Sequence, residues 1–447
     1  MIKRTLQEIA QMAGGTVSDA YKTTEVAGVA IDSRKITEGV LFIPFKGEQT
    51  DGHRFVSQAI ADGAAASFWQ EDVPGAPADL PLVMVDDCLQ ALQRLSRAYL
   101  KEVKPKVIGI TGSNGKTTTK DIVSAVLSPV FKVKKTFGNY NNEIGLPLTI
   151  CQLDDDTEIS ILEMGMSGFG EISLLSTLAE PDVAVITNIG ESHMRDLGSR
   201  AGIARAKFEI TDGLSGLFIY DGDEPLLAPL AETYKGERAA LGLNEDNPYR
   251  ITDIHMTDGA IQFKVTPSDT VFTLPMLGIH NARNAAIAIL IGRRFGLTDE
   301  AINMHLQQLE MTGMRMEQLA GPNGSLLIND AYNASPTSMK AAIDTVNGMT
   351  GDKYIVLSDV LELGPDEEQY HREVGKYFDG MQMTVITTGR AAEHIHDEAK
   401  KLTTAYHFDD KGAVAEFLRP RLTADTVVLF KASRGMALET IIENISN

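Results

Sequence analysis

Thr111-Gly112-Ser113-Asn114-Gly115-Lys116-Thr117-Thr118 lies between the β-rich run Val107 to Ile110 and a stretch in which Ile122, Val123, Val126 and Leu127 share one helical face. A strand that turns through glycines into a helix gathers several backbone N–H groups and the positive end of the helix dipole at one point, which suits a phosphate. Lys116 adds a mobile ammonium, and Thr117 a hydroxyl able to reach Mg²⁺. The loop does not strictly match the usual G-x-x-x-x-G-K-[ST] pattern, because Ile110 stands where the first glycine would be. A glycine-rich turn without a ligand is the bland alternative. Even granted, a phosphate loop specifies a nucleotide and not a reaction.

Downstream of the loop, the buried-strand runs Ile159 to Met164, Val183 to Thr187 and Leu217 to Tyr220 alternate with helical segments, which predicts a parallel sheet covered by helices. Upstream, Thr5 and Glu8 have capping-box spacing and Gly14 stops the helix they open. A helix is expected from Asp87 to Leu100, followed by a charged linker, Lys101 to Lys106, in which Pro105 blocks helix continuation. Toward the end, strand candidates at Leu326 to Ile328, Tyr354 to Leu357, Val385 to Thr387 and Val427 to Phe430 alternate with helices beginning near Ser338, Glu368, Ala392 and Gly412. In a doubly wound sheet the ligand lies beyond the strand ends, which directs attention to Asp330, Asp359, Arg390, Lys431, Ser433 and Arg434. The expected fold is α/β in three domains: a mixed α/β unit over 1–103, a P-loop NTPase-like parallel-sheet unit over 104–312, and a Rossmann-like doubly wound unit over 313–447. A chain of 447 residues accommodates about three such units.

With 61 acidic against 41 basic residues the net charge is −20, which repels nucleic acid and anionic lipid headgroups. The same field opposes ATP, so any anion site must be built from local amides, cationic side chains and metal ions. The chain is 43% hydrophobic and 23% charged, the balance of an ordinary globular protein. Two cysteines far apart, Cys88 and Cys151, make neither a disulfide framework nor a metal-binding pair. No apolar stretch approaches the ~18 residues that span a bilayer, and the first residues do not resemble a signal peptide. A cytoplasmic monomer without membrane insertion or nucleic acid partner is expected.

Further segments accompany the loop in order: Glu163-Met164-Gly165, His193, Ala206-Lys207, His280-Asn281 with Asn284-Ala285-Ala286, and Gly313-Met314-Arg315-Met316-Glu317. Together they resemble the Mur ligase family of amide-bond-forming enzymes, over essentially the whole chain. Gly138-Asn139-Tyr140-Asn141-Asn142-Glu143-Ile144-Gly145 and Asp330-Ala331-Tyr332-Asn333-Ala334-Ser335-Pro336 are most similar to the members that add D-alanyl-D-alanine. Leu361-Glu362-Leu363-Gly364 with His371, and Lys431-Ala432-Ser433-Arg434, extend the likeness; Ser358 and Ala432 depart from it where glycine is usual.

The resemblance implies that ATP activates the terminal carboxylate of UDP-N-acetylmuramoyl-tripeptide as an acyl phosphate, which the amine of D-alanyl-D-alanine then attacks. It implies ATP contacts at Gly112, Ser113, Asn114, Gly115, Lys116, Thr117, Thr118, Asn281, Arg315 and Asp330. Catalytic roles are implied for Lys116, Glu163, His193 and Lys207, and two Mg²⁺ ions for Thr117, Glu163, His193 and a carbamylated Lys207. For the muramoyl substrate it implies Ser33, Arg34, Glu48, Gln49, Thr50 and Asp51 around uridine, and Asn139 and Asn142 farther along; Asn333 falls on the dipeptide side. Taken singly, Glu163 reads as a solvated strand end, His193 as a surface histidine, Lys207 as a solvated helix lysine and Arg315 as a surface partner of Glu317. A folate polyglutamating ligase, the muramoyl ligase for the third amino acid and a nucleotide switch are the rivals. The last is weakened by the lack of an Asn-Lys-x-Asp motif.

Overall fold

The computed structural model describes residues 1–47, 50–257, 259–309 and 313–446. The expected uridine contacts Glu48 and Gln49, and the expected boundary at 312, lie outside them. Four sheets organise the chain. The first region carries a five-stranded sheet in the order Thr16–Val17, Leu82–Val85, Ala66–Gln70, Leu41–Phe42, Val29–Ala30, parallel except for its first strand, and a two-stranded ribbon of Lys3–Thr5 with Glu25–Ala27. The helix Leu6–Ala13 is opened by the reciprocal Thr5 and Glu8 capping bonds and closed by Gly14 at φ 72°, as its sequence dictates. The helix expected to stop at Leu100 runs instead from Cys88 to Val103, and a strand already begins at Lys106. The expected linker thus shrinks to Lys104 and Pro105. Lys101 and Glu102 are good helix formers, so the chain stays helical until Pro105 excludes its predecessor from helical backbone; Lys104 turns left-handed at φ 55°.

The central sheet has nine strands, in the order Phe272–Leu274, Ala260–Val265, Tyr249–Thr257, Arg238–Gly242, Leu217–Asp221, Val183–Ile186, Lys106–Thr111, Ile159–Glu163, Val133–Lys135. From Tyr249–Thr257 to Val133–Lys135 it is parallel, and the phosphate-loop strand Lys106–Thr111 lies between Ile159–Glu163 and Val183–Ile186. The last three strands form an antiparallel meander that the expected all-parallel sheet omitted. Its middle strand buries Ile261, Phe263 and Val265 alternately, the two-residue period of a sheet with one covered face. Helices Lys116–Leu127 and Ile279–Arg294 pack on one side.

The third sheet orders Glu317–Ala320, Leu326–Asn329, Thr426–Lys431, Asp352–Leu357, Thr384–Thr388 and Ala405–Phe408, all parallel but the first. Both residues that depart from the family pattern are fully buried here. The extra hydroxyl of Ser358 donates to the Thr388 carbonyl, and the methyl of Ala432 joins the apolar cluster under Phe430.

Core packing divides the molecule unequally. One continuous apolar cluster runs from Ile2, Leu6 and Phe68 through Leu95 and Tyr99 to Leu146, Ile150, Ile172 and Phe218, joining the first region to the central one. Tyr99 Oη donates to the Leu153 carbonyl at 2.8 Å, and Ile2 N–H to the Cys151 carbonyl at 2.8 Å, across the same seam. The clusters of the third sheet are separate from this one. Leu95→Ala should therefore cost about 2–5 kcal/mol. In urea-dependent hydrogen exchange, protection should fall in both the first and central regions while peptides of the third sheet keep theirs.

Candidate active site

The phosphate loop is held by polar groups that follow the neighbouring strand Val183–Ile186. Ser113 N–H donates to the Asn188 carbonyl at 3.1 Å, Asn114 N–H to Asn188 Oδ1 at 2.8 Å, and Thr187 Oγ1 to the Asn114 carbonyl at 2.5 Å. A Cβ on Gly112, at φ 152°, would meet Thr187 Oγ1 at 1.8 Å; one on Gly115, at φ 81°, would meet Asn284 Oδ1 at 2.8 Å. Both positions require glycine. Lys116 lies across the loop with Nζ 2.7 Å from the Gly112 carbonyl. Burial lowers its pKa, with the nearby Glu163 charge opposing the shift.

The loop opens into a cleft of about 790 Å³ between the central and third sheets. From the central side come the loop itself, Asn139, Asn142, Glu163, His193, Lys207 and Asn281; from the third come Arg315, Asp330 and Asn333. Glu163, 3% exposed at its strand end, accepts from Thr117 Oγ1 at 2.8 Å and from Asn141 Nδ2 at 3.0 Å. Lys207, read singly as a solvated helix residue, is instead 2% exposed, and among the described residues its ammonium makes no ion pair or hydrogen bond. Burial, with the Lys116 charge adding to it, drives its pKa well down and favours the free amine. His193, with left-handed backbone at φ 66°, has its pKa lowered to about 4 by burial and then by Lys207 and Lys116. Met316 and Glu362 on the same cleft are also left-handed, at φ 50° and 66°; backbone strain of this kind concentrates at functional sites.

On the third-sheet wall, Arg315 lies 4.1 Å over the Tyr332 ring, and its buried Nε has no hydrogen-bond partner among the described residues. Asp330 accepts from Lys431 Nζ at 2.6 Å and from Met316 N–H at 3.1 Å. Asn281 Nδ2 donates to the Leu277 carbonyl and its Oδ1 accepts from Asn284, so this amide is fixed from both ends. Asn142 Oδ1 accepts from the N–H of Gly145, the first residue of the helix Gly145–Cys151, at 2.9 Å. Among the described residues, polar contacts between the two regions are Ser335 Oγ to Asn114 Oδ1 at 3.2 Å, Thr337 Oγ1 to Glu191 Oε2 at 2.6 Å, and His193 Nδ1 to Glu362 Oε2 at 3.6 Å.

Of the first-region candidates, Ser33, Arg34, Thr50 and Asp51 do not line this cleft. Arg34 folds back onto Asp32, with Nε and Nη2 at 2.9 and 2.8 Å from its carboxylate, in the short turn that also contains Ser33. Asp51, next to Thr50, accepts from the backbone N–H and ring Nδ1 of His53 at 3.0 and 2.6 Å. Sequence reading missed Asn188, although it follows a strand end, and Asn141, although the quoted asparagine motif contains it. Asn284 and Lys431 were quoted without their roles as partners of Asn281 and Asp330.

Profiles of the Mur ligase family catalytic domain, middle domain and glutamate ligase domain match residues 25–100, 110–292 and 314–434. The UDP-N-acetylmuramoyl-tripeptide--D-alanyl-D-alanine ligase of Bacillus subtilis strain 168 is 46% identical over 454 residues, covering 100% of this chain and 99% of that protein. The chain belongs to the Mur ligase family. The Escherichia coli K12 enzyme of the same name is 31% identical over 99% of the chain and 98% of its own length. Among solved structures of the family, a MurF from Acinetobacter baumannii superposes with a TM-score of 0.92 at 29% identity, over 100% of this chain and 99% of that one. The MurF ligase of Thermotoga maritima in complex with ADP gives 0.85 at 29% identity, covering 94% and 97%. This Mur ligase thus has the three-domain α/β fold its sequence implied. Among the described residues no helix is long and apolar enough to cross a membrane.

The cleft histidines set a pH dependence. His193 and His280 both have their pKa lowered from 6.5 to about 4, chiefly by burial, so the folded chain holds them neutral where the unfolded chain protonates them. Their contribution to stability is complete above 6.5 and is lost as pH falls toward about 4. Urea midpoints measured between about pH 7 and about pH 5 should decrease, with a shallower slope in His280→Gln.

Proposed function

We propose that this Mur ligase uses ATP to join D-alanyl-D-alanine to the terminal carboxylate of UDP-N-acetylmuramoyl-tripeptide, giving the pentapeptide, ADP and phosphate. The observation that carries the reading is the 46% identity, end to end, with the Bacillus subtilis ligase of that name. The cleft supports it, because one cavity gathers the phosphate loop, a buried carboxylate and cations from the opposite domain.

Lys116 and the loop amides hold the triphosphate, and Arg315 approaches it from the third domain with donor capacity to spare. Asn281 and Asp330 serve adenine and ribose. The substrate carboxylate attacks the terminal phosphorus as its bond to the departing ADP oxygen breaks, and the neutral amine of the dipeptide then attacks the carbonyl carbon of the resulting acyl phosphate, expelling phosphate and giving up a proton. Such phosphoryl transfer depends on positioning and charge neutralisation. The 1–103 region supplies the uridine side through Ser33, Arg34, Glu48, Gln49, Thr50 and Asp51, the 104–312 region the ATP site, and the 313–447 region the closing face and, with Asn333, the dipeptide side. Asn139 and Asn142 offer neutral amides to the muramoyl peptide. One copy contains every group of the cleft, so a monomer suffices, and its nucleotide-linked substrate suits the cytoplasm.

The residues present fit Mg²⁺. The magnesium ion takes few protein ligands beside phosphates and water, and among the described residues no group of three His, Cys, Asp or Glu side chains is gathered for a metal. Thr117 and Glu163 would hold one ion, His193 and a carbamylated Lys207 a second; when bound, they neutralise charge on the phosphates. The carbamate that the family resemblance implies is supported by the setting of Lys207: a buried amine without a counter-ion among the described residues, its pKa driven well down, is able to capture carbon dioxide and become an anion. A bicarbonate-treated sample digested under native conditions should carry the mass of one added carbon dioxide on the Lys207 peptide. A bare amine throughout would discard the carbamate.

The reaction is tested by mixing the protein with ATP, Mg²⁺, D-alanyl-D-alanine and muramoyl tripeptides ending in lysine or diaminopimelate, and weighing the products. Pentapeptide formed with stoichiometric ADP is expected; ATP hydrolysis independent of both acceptors would favour a nucleotide switch. Lys116→Ala should lower turnover by at least about 10²–10³, the loss typical of removing an electrostatic stabiliser.

A further inference from the structure

A second lysine lies under the phosphate loop. Lys120, one helical turn beyond Lys116, is 2% exposed, and no role in the proposed chemistry falls to it. Its Nζ donates to the Thr136 carbonyl at 2.9 Å. Thr136, fully buried, is a junction: its N–H donates to the Ile161 carbonyl at 2.9 Å, and its Oγ1 accepts the backbone N–H of Glu163 at 2.9 Å. It also opens the segment whose Asn141 donates to Glu163 Oε1 at 3.0 Å and whose Asn141 carbonyl accepts Gly165 N–H at 2.7 Å. A continuous hydrogen-bonded line thus runs from the phosphate-loop helix through Lys120 and Thr136 to Glu163, whose other carboxylate oxygen returns to Thr117 on that helix.

The neighbouring charges make a purely structural role a poor account of this lysine. Burying an ammonium is expensive, and an apolar residue of similar volume often serves stability as well or better. Lys120 is 3.7 Å from Asp121 Oδ1, yet that carboxylate has Lys135 Nζ nearer, at 2.8 Å. What an apolar residue could not supply is a donor to the Thr136 carbonyl.

We propose that Lys120 is a positioning residue for the ligase reaction: through Thr136 it fixes Glu163 and the asparagine segment at one distance from Lys116 and Thr117. It touches no substrate. The proposal rests on the reading of Glu163 as a Mg²⁺ ligand beside ATP. Groups that orient a metal ligand from behind typically contribute 10- to 100-fold in metal affinity or activity, about the size of effect expected here.

The test uses the full chain, with Lys120→Met, Lys120→Arg and Thr136→Val. Titration calorimetry with ADP alone and with ADP plus Mg²⁺ separates the loop from the metal side. Lys120→Met should melt like the parent and bind ADP alone like the parent, while losing about 10- to 100-fold of the tightening that Mg²⁺ confers. Its kcat should fall by a similar factor with KM for ATP little changed, and Lys120→Arg should recover much of both. A folded Lys120→Met that keeps the full Mg²⁺ effect and parental kcat overturns the assignment. If Lys120→Met does not fold, Thr136→Val decides in its place: it breaks the same line nearer Glu163, and an intact Mg²⁺ effect there is equally fatal. Absence of any Mg²⁺ effect in the parent chain would instead bring down the metal reading and Lys120 with it.

Discussion

Gathering positive potential in a molecule of net charge −20 is the constraint on which the rest of this structure depends. Long-range attraction is of no help to a polyanion here, so the fold concentrates short-range donors. Backbone amides are aimed by glycines at a helix start, and lysines are placed where water cannot screen them. That choice costs stability, since Lys116, Lys120 and Lys207 are all held where burial disfavours their charge. Each solves the problem differently. Lys116 rests on a loop carbonyl and Lys120 on a strand-end carbonyl near a buried aspartate, whereas Lys207, with no ion pair or hydrogen bond among the described residues, is favoured as the free amine and adds no positive charge.

The same constraint explains why the site is split between domains. Arg315 and Lys431 on the third sheet face Lys116 and Glu163 on the central one, so part of the positive potential reaches the cleft only when the two walls stand together. The contacts named across that cleft are hydrogen bonds and one carboxylate–histidine approach, and such contacts break and re-form at little cost. Ser335 is central to them, because the hydroxyl that caps its own helix also donates to Asn114 of the phosphate loop. A polar seam of this kind is compatible with the proposed closing of the third domain over the reacting carboxylate.

Much of this was legible before any coordinates. The strand-turn-helix around Gly112 and Gly115, the Thr5 and Glu8 capping box and the alternation of the third sheet are local patterns, fixed by residues near one another in sequence. What escaped was set by distant partners. The antiparallel meander at Tyr249 to Leu274 has ordinary alternation, but its attachment to a parallel sheet depends on an edge that sequence does not display. Asn188 and Asn141 are unremarkable asparagines until Asn114 and Glu163 arrive beside them. Lys207 looked solvated because helix position alone does not reveal what packs over it. Thr136 carries no motif at all.

The apolar cluster shared by the first and central regions has a practical corollary. Cutting the polypeptide at Lys104 and Pro105 would leave Leu95 and Tyr99 on one fragment and Leu146 and Ile150 on the other, each newly wetted. Neither half would be a well-behaved specimen for fragment screening or crystallisation. A piece beginning at Gly313 would by contrast take both greasy interiors of the third sheet away intact.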